Sequence, residues 1–88
     1  MKKVFKYELE IKDVQTIKSF GSFEPLCIQM QNDRPVLYAL VDDESVIKKY
    51  RFVTYGTGHD VNPFVTKENY IGTYMICRGE LVFHVFKE

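Results

Sequence analysis

The sequence predicts a single, mainly β domain: a small antiparallel six-stranded meander, either barrel-like or folded as a two-layer sandwich. Three observations support this prediction. Apolar and polar residues alternate with a period of two along most of the chain. Short clusters of Gly, Pro, Asn and Asp separate the alternating segments, as turns do. The length of 88 residues suits one domain with one core, so residues 1–88 are assigned to a single unit.

The first predicted strand runs from Val4 to Lys12. Every second residue from Phe5 to Ile11 is apolar and the residues between them are charged, which is typical of a half-buried strand. Asp13–Ser19 is predicted to be an irregular connection. There are two alternatives to an irregular connection: one helical turn capped by Asp13, or an extension of the strand.

The next part of the chain contains two predicted strands joined by a tight turn. Gly21–Pro25 is predicted to be a loop, and Leu26–Gln31 alternates as a strand. Asn32–Pro35 has the composition of a tight turn. Val36–Val41 is almost entirely apolar, which favours a central strand buried on both faces.

The second half repeats this pattern. Asp42–Ser45 is predicted to be an acidic turn, Val61–Glu68 a longer excursion over the surface, and Arg78–Gly79 a hairpin turn. The remaining strands are predicted at Ile47–Tyr55, Asn69–Cys77 and Leu81–Phe86. We expect seven apolar residues to share one core: Phe5, Leu9, Ile28, Leu40, Phe52, Ile71 and Phe83.

The charge balance limits the partners that this protein can have. Lys plus Arg and Asp plus Glu number 12 each, so the formal net charge is zero. We therefore expect no direct DNA or RNA binding, since a nucleic-acid-binding domain carries excess positive charge. Near-neutral charge also removes repulsion between copies, which favours a homo-oligomer.

The sequence predicts a cytoplasmic protein without membrane contact. No stretch approaches the length of a membrane span, and the segment Met1–Glu8 carries charges where a signal peptide needs an apolar run. Cys27 and Cys77 lie in apolar segments and are expected to be buried, reduced thiols. A disulfide would require neighbouring strands, which the sequence leaves open.

The loop Tyr55–Asp60 gathers more groups able to orient a partner than any other segment: two glycines beside a threonine hydroxyl, an imidazole and a carboxylate. Its two glycines permit positive φ and close approach of a ligand, and their backbone N–H groups can form an anion-binding nest. The alternative is a plain turn. If the loop is a site, Arg51 adds a guanidinium fork and Tyr70 an aromatic face. The predicted ligand-binding residues are Arg51, Tyr55, Gly56, Thr57, Gly58, His59 and Tyr70.

No reaction is predicted. The chain has no nucleophile elbow, no cofactor loop and no evident pair of catalytic carboxylates, so we expect neither an enzyme nor a bound cofactor. Histidine occurs only at positions 59 and 84. His84 is interpreted as a half-exposed strand residue with a local hydrogen bond, and the ligands for a metal site are lacking.

Six segments of the chain match a known family in the same order: Lys6–Ile17, Gln29–Asn32, Leu37–Asp42, Tyr55–His59, Tyr70–Tyr74 and Leu81–Phe86. Together they resemble a family of small bacteriophage and prophage proteins without an assigned activity. It spans nearly the whole chain, and it implies a phage-type accessory protein. Because such proteins often counter host defence, the resemblance also suggests a counter-defence role.

The predicted function is therefore non-catalytic binding. The first hypothesis is sequestration of a small anionic, nucleotide-like ligand at the glycine loop. The second is a protein–protein inhibitor or adaptor that acts on a host complex through a sheet edge or a tyrosine-rich surface of Tyr38, Tyr50, Tyr70 and Tyr74. A virion or assembly component is the third.

Overall fold

The computed structural model describes residues 1–88 and contains seven strands in two antiparallel sheets, which confirms the predicted fold class. The sheets pack as two layers and do not close into a barrel. One sheet has the order β1-β4-β3 and the other the order β2-β5-β7-β6. The strands are β1 (Lys2–Glu8), β2 (Val14–Phe20), β3 (Phe23–Gln31), β4 (Arg34–Asp42), β5 (Ile47–Gly56), β6 (Tyr70–Ile76) and β7 (Leu81–Lys87).

The extra strand is β2, where the sequence predicts an irregular connection. The prediction is wrong because two of the residues that face the core are polar, which hides the alternation. Ser19 is buried, and its hydroxyl is hydrogen-bonded to the hydroxyl of Tyr7. Gln15 pairs with Phe52 of β5, and its side chain bonds the backbone of Glu10. The strand order also differs from a meander, because β2 pairs with β5 and β1 with β4.

The predicted turn after β3 is present, but it is shorter than expected. Asn32 and Asp33 both have positive φ, 52° and 63°, as in the two-residue turns that match strand twist. Arg34 and Pro35 already belong to β4. This strand is central in its sheet, and Leu37, Ala39 and Val41 face the core. Leu40 therefore points to the outer face, so its assignment to the core is wrong.

The core lies between the two sheets and takes residues from both. Phe5, Ile71 and Phe83 pack against it, and Leu9, Ile28 and Phe52 belong to it, as predicted. The Phe23 ring stacks on Tyr50 with a centroid distance of 4.4 Å and meets Phe52 edge-on at 6.2 Å. The buried cluster consists of Leu9, Phe23, Ile28, Leu37, Ala39, Val41, Phe52, Tyr74 and Val85.

The two cysteines are free thiols in different surroundings. Cys27 is partly buried on β3, whereas Cys77 is exposed, so the expectation of two buried thiols is wrong for Cys77. The turn between β6 and β7 begins one residue earlier than predicted, at Cys77, with φ of 52°. Cys77 therefore lies in the turn and outside the strand.

Two core tyrosines differ in how their hydroxyl groups are satisfied. The Tyr50 hydroxyl donates to the carbonyls of Phe20 and Gly21, at 2.6 and 3.0 Å. The Tyr74 hydroxyl is buried without a hydrogen-bond partner, and burial raises the pKa of this side chain. A buried hydroxyl without a partner destabilises the folded state, because its hydration is lost without replacement.

Replacement of Tyr74 by Phe is expected to raise the free energy of unfolding by about 1 kcal/mol, because it removes the unsatisfied hydroxyl and keeps the ring. The matched control is Tyr50→Phe, which removes two hydrogen bonds and should lower that free energy by about 1 kcal/mol. Urea denaturation followed by tyrosine fluorescence measures both. A loss of stability in Tyr74→Phe would mean that its hydroxyl is hydrogen-bonded in solution.

Candidate functional site

The outer face of the four-stranded sheet is crossed by the connection between β5 and β6, residues 57–69, which we call the crossing segment. Val65 of this segment lines a concavity on each side of it. The backbone N–H of Asn62 donates to the hydroxyl of Tyr55, which points out from β5, at 3.5 Å. The predicted excursion over the surface therefore lies against the sheet and divides its outer face into two concavities.

The concavity over β6 and β7, which we call the groove, has a volume of about 550 Å³. The volume lies within the range of small-molecule sites, and the concavity opens widely to solvent. Its walls combine apolar, aromatic and hydroxyl-bearing side chains with one lysine and one histidine. The lining residues are Val61, Val65, Thr66, Lys67, Tyr70, Thr73, His84 and Phe86.

A chain of three hydrogen bonds fixes the histidine on the floor of the groove. Nε2 of His84 lies 2.8 Å from Oγ1 of Thr57, and Nδ1 lies 3.0 Å from Oγ1 of Thr73. The Thr73 hydroxyl lies 2.6 Å from the hydroxyl of Tyr70. We call this series Thr57–His84–Thr73–Tyr70 the hydroxyl–imidazole chain. Strand pairing creates it, because Thr73 of β6 lies directly opposite His84 of β7.

Three aromatic rings form the apolar part of the same face. Phe86 meets Tyr55 at a centroid distance of 5.9 Å and Tyr70 at 5.6 Å, both edge-to-face. The three residues come from adjacent strands, and Tyr70 pairs with Phe86 in the β6–β7 ladder. Edge-to-face contacts of this kind stabilise the rings beyond their burial alone.

The glycine loop lies at the end of β5 and folds back on itself. The N–H of His59 donates to the carbonyl of Gly56 at 3.1 Å. The His59 ring covers Gly56 so closely that a Cβ there would lie 2.8 Å from ring atoms Cε1 and Nδ1. Gly58 has a φ of 86° and open space around it, so it is required for the backbone conformation. The loop is therefore a tight turn closed by an imidazole.

The predicted site residues do not converge on one cavity. Tyr70 lines the groove, and Thr57 reaches it through His84. Tyr55 contacts Phe86 and lines the second concavity, of about 430 Å³. Arg51 also lines that second concavity, where its Nε donates to the carboxylate of Glu88. The turn residues Gly56, Gly58 and His59 lie outside the groove.

Sequence reasoning identified only some of the residues that make the groove. His84 has the local hydrogen bonds that the sequence interpretation gives it, yet it also lies on the floor of the groove. Phe86 and Lys67 are not among the candidate residues that the sequence indicates. One signal is present in the sequence: His84 and Phe86 alternate with core residues on a strand, so they share the face opposite the core.

The titratable groups do not assemble into a metal centre, since no three His, Cys, Asp or Glu side chains cluster suitably.

Arg51 and Glu88 are both largely exposed, so an anion in the second concavity would compete with an existing ion pair. None of the helical segments is long and apolar enough to cross a membrane.

Comparison with known proteins places the chain in one family. Residues 1–88 match the family described as a domain of unknown function (DUF7352), and the chain belongs to that family. No curated protein and no solved structure matches the chain significantly.

The turn geometry predicts different consequences for the two glycines of the loop. Gly58→Ala should lower the free energy of unfolding by about 1–2 kcal/mol, because a side chain is strained at positive φ. Gly56→Ala should cost less, because the His59 ring can swing away from the new methyl group. Thermal denaturation gives the stabilities, and the imidazole NMR signals of His59 report the ring movement.

His59→Ala serves as the control, with an expected change within about 0.5 kcal/mol, as for other exposed loop side chains. Equal stability of Gly58→Ala and the unmodified protein would contradict the assigned turn.

Proposed function

We propose that this protein is a non-catalytic binder that sequesters a small anionic, nucleotide-like ligand in the groove. The observation that carries the proposal is the composition of the groove walls. Tyr70 and Phe86 provide aromatic surface and Lys67 a positive charge. The Thr66 hydroxyl also lines the groove and donates to the carboxylate of Glu68, and the Thr73 hydroxyl belongs to the hydroxyl–imidazole chain. Aromatic surface suits a base, and an ammonium group suits a phosphate.

The arrangement of His84 favours binding over catalysis. Both ring nitrogens are already hydrogen-bonded to threonine hydroxyls, so neither is directed at a ligand in the groove. The same bonds hold the imidazole in one orientation, which keeps the floor of the groove rigid. A rigid, preformed site lowers the entropic cost of ligand binding.

The resemblance to small bacteriophage and prophage proteins supplies the biological setting of the proposal. In that setting the protein acts in the cytoplasm of the infected cell and counters host defence by withdrawing a nucleotide signal. Sequestration requires no turnover, and it requires one protein molecule per bound ligand at saturation. A small, stable domain suits that task.

The outer face of the three-stranded sheet favours a second candidate, a protein-binding role. Val4 and Leu26 are 58% and 50% exposed on this sheet, near the partly exposed Tyr38 and Leu40. Tyr50 and Tyr74 do not contribute, because both point into the core, so the tyrosine surface is smaller than the sequence suggests. We assign the expected homo-oligomer contact to this same apolar face.

Light scattering tests the oligomer. A mass above that of one chain is expected at micromolar concentration, and Leu26→Lys should reduce it to the monomer by placing a charge in the contact. Val46→Lys is the control, because Val46 is exposed outside either sheet and the mass should not change. A monomer mass for the unmodified protein would contradict the assignment.

Native mass spectrometry of the protein expressed in bacteria tests for a copurifying nucleotide, and calorimetry with cyclic nucleotides tests binding directly. Tyr70→Ala and Lys67→Ala should each weaken binding at least about tenfold, since each removes a principal ligand contact. Lys2→Ala, on the other sheet, is the charge-matched control and should bind normally. Normal affinity in both groove variants would transfer the proposal to the second concavity around Arg51.

A further inference from the structure

We infer that the hydroxyl–imidazole chain sets which hydrogen-bonding group the groove accepts: a protonated His84 leaves Tyr70 only as a donor to an oxyanion, whereas a neutral ring also allows an arrangement in which Tyr70 presents no proton. The inference rests on the proposed function and adds to it the polarity and pH dependence of the site. It follows from the geometry of three consecutive hydrogen bonds, which allow few arrangements of their protons.

The first arrangement has a charged imidazole. Both ring N–H groups then donate, one to the hydroxyl oxygen of Thr57 and the other to that of Thr73. Because Thr73 accepts from the ring, its own proton goes to the oxygen of Tyr70. The Tyr70 hydroxyl must then direct its proton away from the chain, where a ligand oxygen can accept it.

Two arrangements have a neutral imidazole. With the proton on Nδ1, the ring still donates to Thr73, and Tyr70 still presents a donor. With the proton on Nε2, Nδ1 accepts from Thr73, and Thr73 in turn accepts from Tyr70. The Tyr70 proton is then used inside the chain, and only lone pairs face the groove. An anionic ligand excludes this last state.

The groups that face His84 reinforce the preference for an anion. Tyr55 of β5 and Thr73 of β6 lie opposite it in the two strand ladders, and Thr57 and Lys67 approach from the crossing segment. Tyr70 is linked to it through Thr73. No hydrogen bond joins the imidazole to a carboxylate, although the Glu68 carboxylate accepts from the Thr66 hydroxyl at the groove wall, so the charge of a protonated imidazole has no direct partner. A bound oxyanion compensates that charge and favours the protonated ring.

The sign of the pH dependence follows from linkage. A ligand that favours protonated His84 binds more tightly at a pH where the ring is charged, and it loses affinity as the pH rises. The probe must keep a constant charge, because the second ionisation of a phosphate monoester falls in the same pH range. Cyclic adenosine monophosphate is a phosphodiester and meets this condition, and adenosine is its uncharged counterpart.

The experiment measures the affinity of the full chain for both probes by calorimetry between about pH 5.5 and about pH 8.5, which spans the ordinary titration of histidine. We expect the affinity for the cyclic nucleotide to fall roughly tenfold, and that for adenosine to stay nearly constant. His84→Gln should abolish the pH dependence. Tyr70→Phe keeps the ring and removes the donor, so it should lower the affinity more at low pH than at high pH and thereby weaken the pH dependence.

Thr73→Val is the diagnostic variant, because it breaks the chain between His84 and Tyr70 and nearly preserves side-chain shape. It should bind the cyclic nucleotide with a weaker pH dependence, whereas Thr16→Val, on the same sheet outside the groove, should behave as the unmodified protein. Nitrogen-15 NMR of the imidazole should show that the cyclic nucleotide increases the protonated fraction of His84.

The outcomes separate the inference from the proposed function. Binding of the cyclic nucleotide with the same affinity at all pH values, or unchanged pH dependence in both Thr73→Val and Tyr70→Phe, overturns the inference and leaves the proposed function standing. Absence of saturable binding at every pH overturns both.

Discussion

The packing of the Phe23 ring between the two sheets is the contact on which the rest of the structure depends. Phe23 opens β3, and its ring meets Tyr7 of its own sheet and Tyr50 and Phe52 of the other. Each such aromatic pair contributes about 0.5–1.5 kcal/mol beyond simple burial. Since Tyr50 and Phe52 are on β5, this packing also fixes the strand whose opposite face carries Tyr55. The core and the candidate site are therefore two faces of the same strands.

The period of two in strand geometry makes that coupling strict on β7, whereas on β6 a register shift between Tyr70 and Gly72 allows Tyr70 and Thr73 to share the groove face. On β7, Phe83 and Val85 face the core, and His84 and Phe86 consequently face the groove. A slip of one residue in the β6–β7 register would bury His84 and expose Val85. The apolar core thus selects the one register in which Thr73 lies opposite His84. The hydroxyl–imidazole chain at the floor of the groove is therefore a consequence of hydrophobic packing on the other side of the sheet.

The sequence reveals the fold more readily than the site, for physical reasons. Alternation reports burial on one face, so the strands with an apolar face, such as β5 and β7, are predictable. It fails for β2, where Ser19 fills a core-facing position by bonding to Tyr7. Tyr70 is predictable as an outward-facing aromatic residue because it begins the strand that follows a polar loop. The hydrogen bonds of His84 to Thr57 and Thr73 cannot be predicted in this way, because they depend on strand register and on the path of the crossing segment.

The strand order has a consequence for how the molecule forms. Residues 14–20 pair with β5 only after the intervening β3–β4 hairpin, which belongs to the other sheet, so neither sheet is a continuous piece of chain. The strand that comes last in sequence, β7, lies between β5 and β6. During synthesis, the floor of the groove is therefore missing until this strand inserts, and folding of such a non-local β topology takes milliseconds to seconds. Before β7 has been synthesised, a nascent chain exposes the edges of β5 and β6 that later pair with β7. The molecule is most prone to aggregation during that interval.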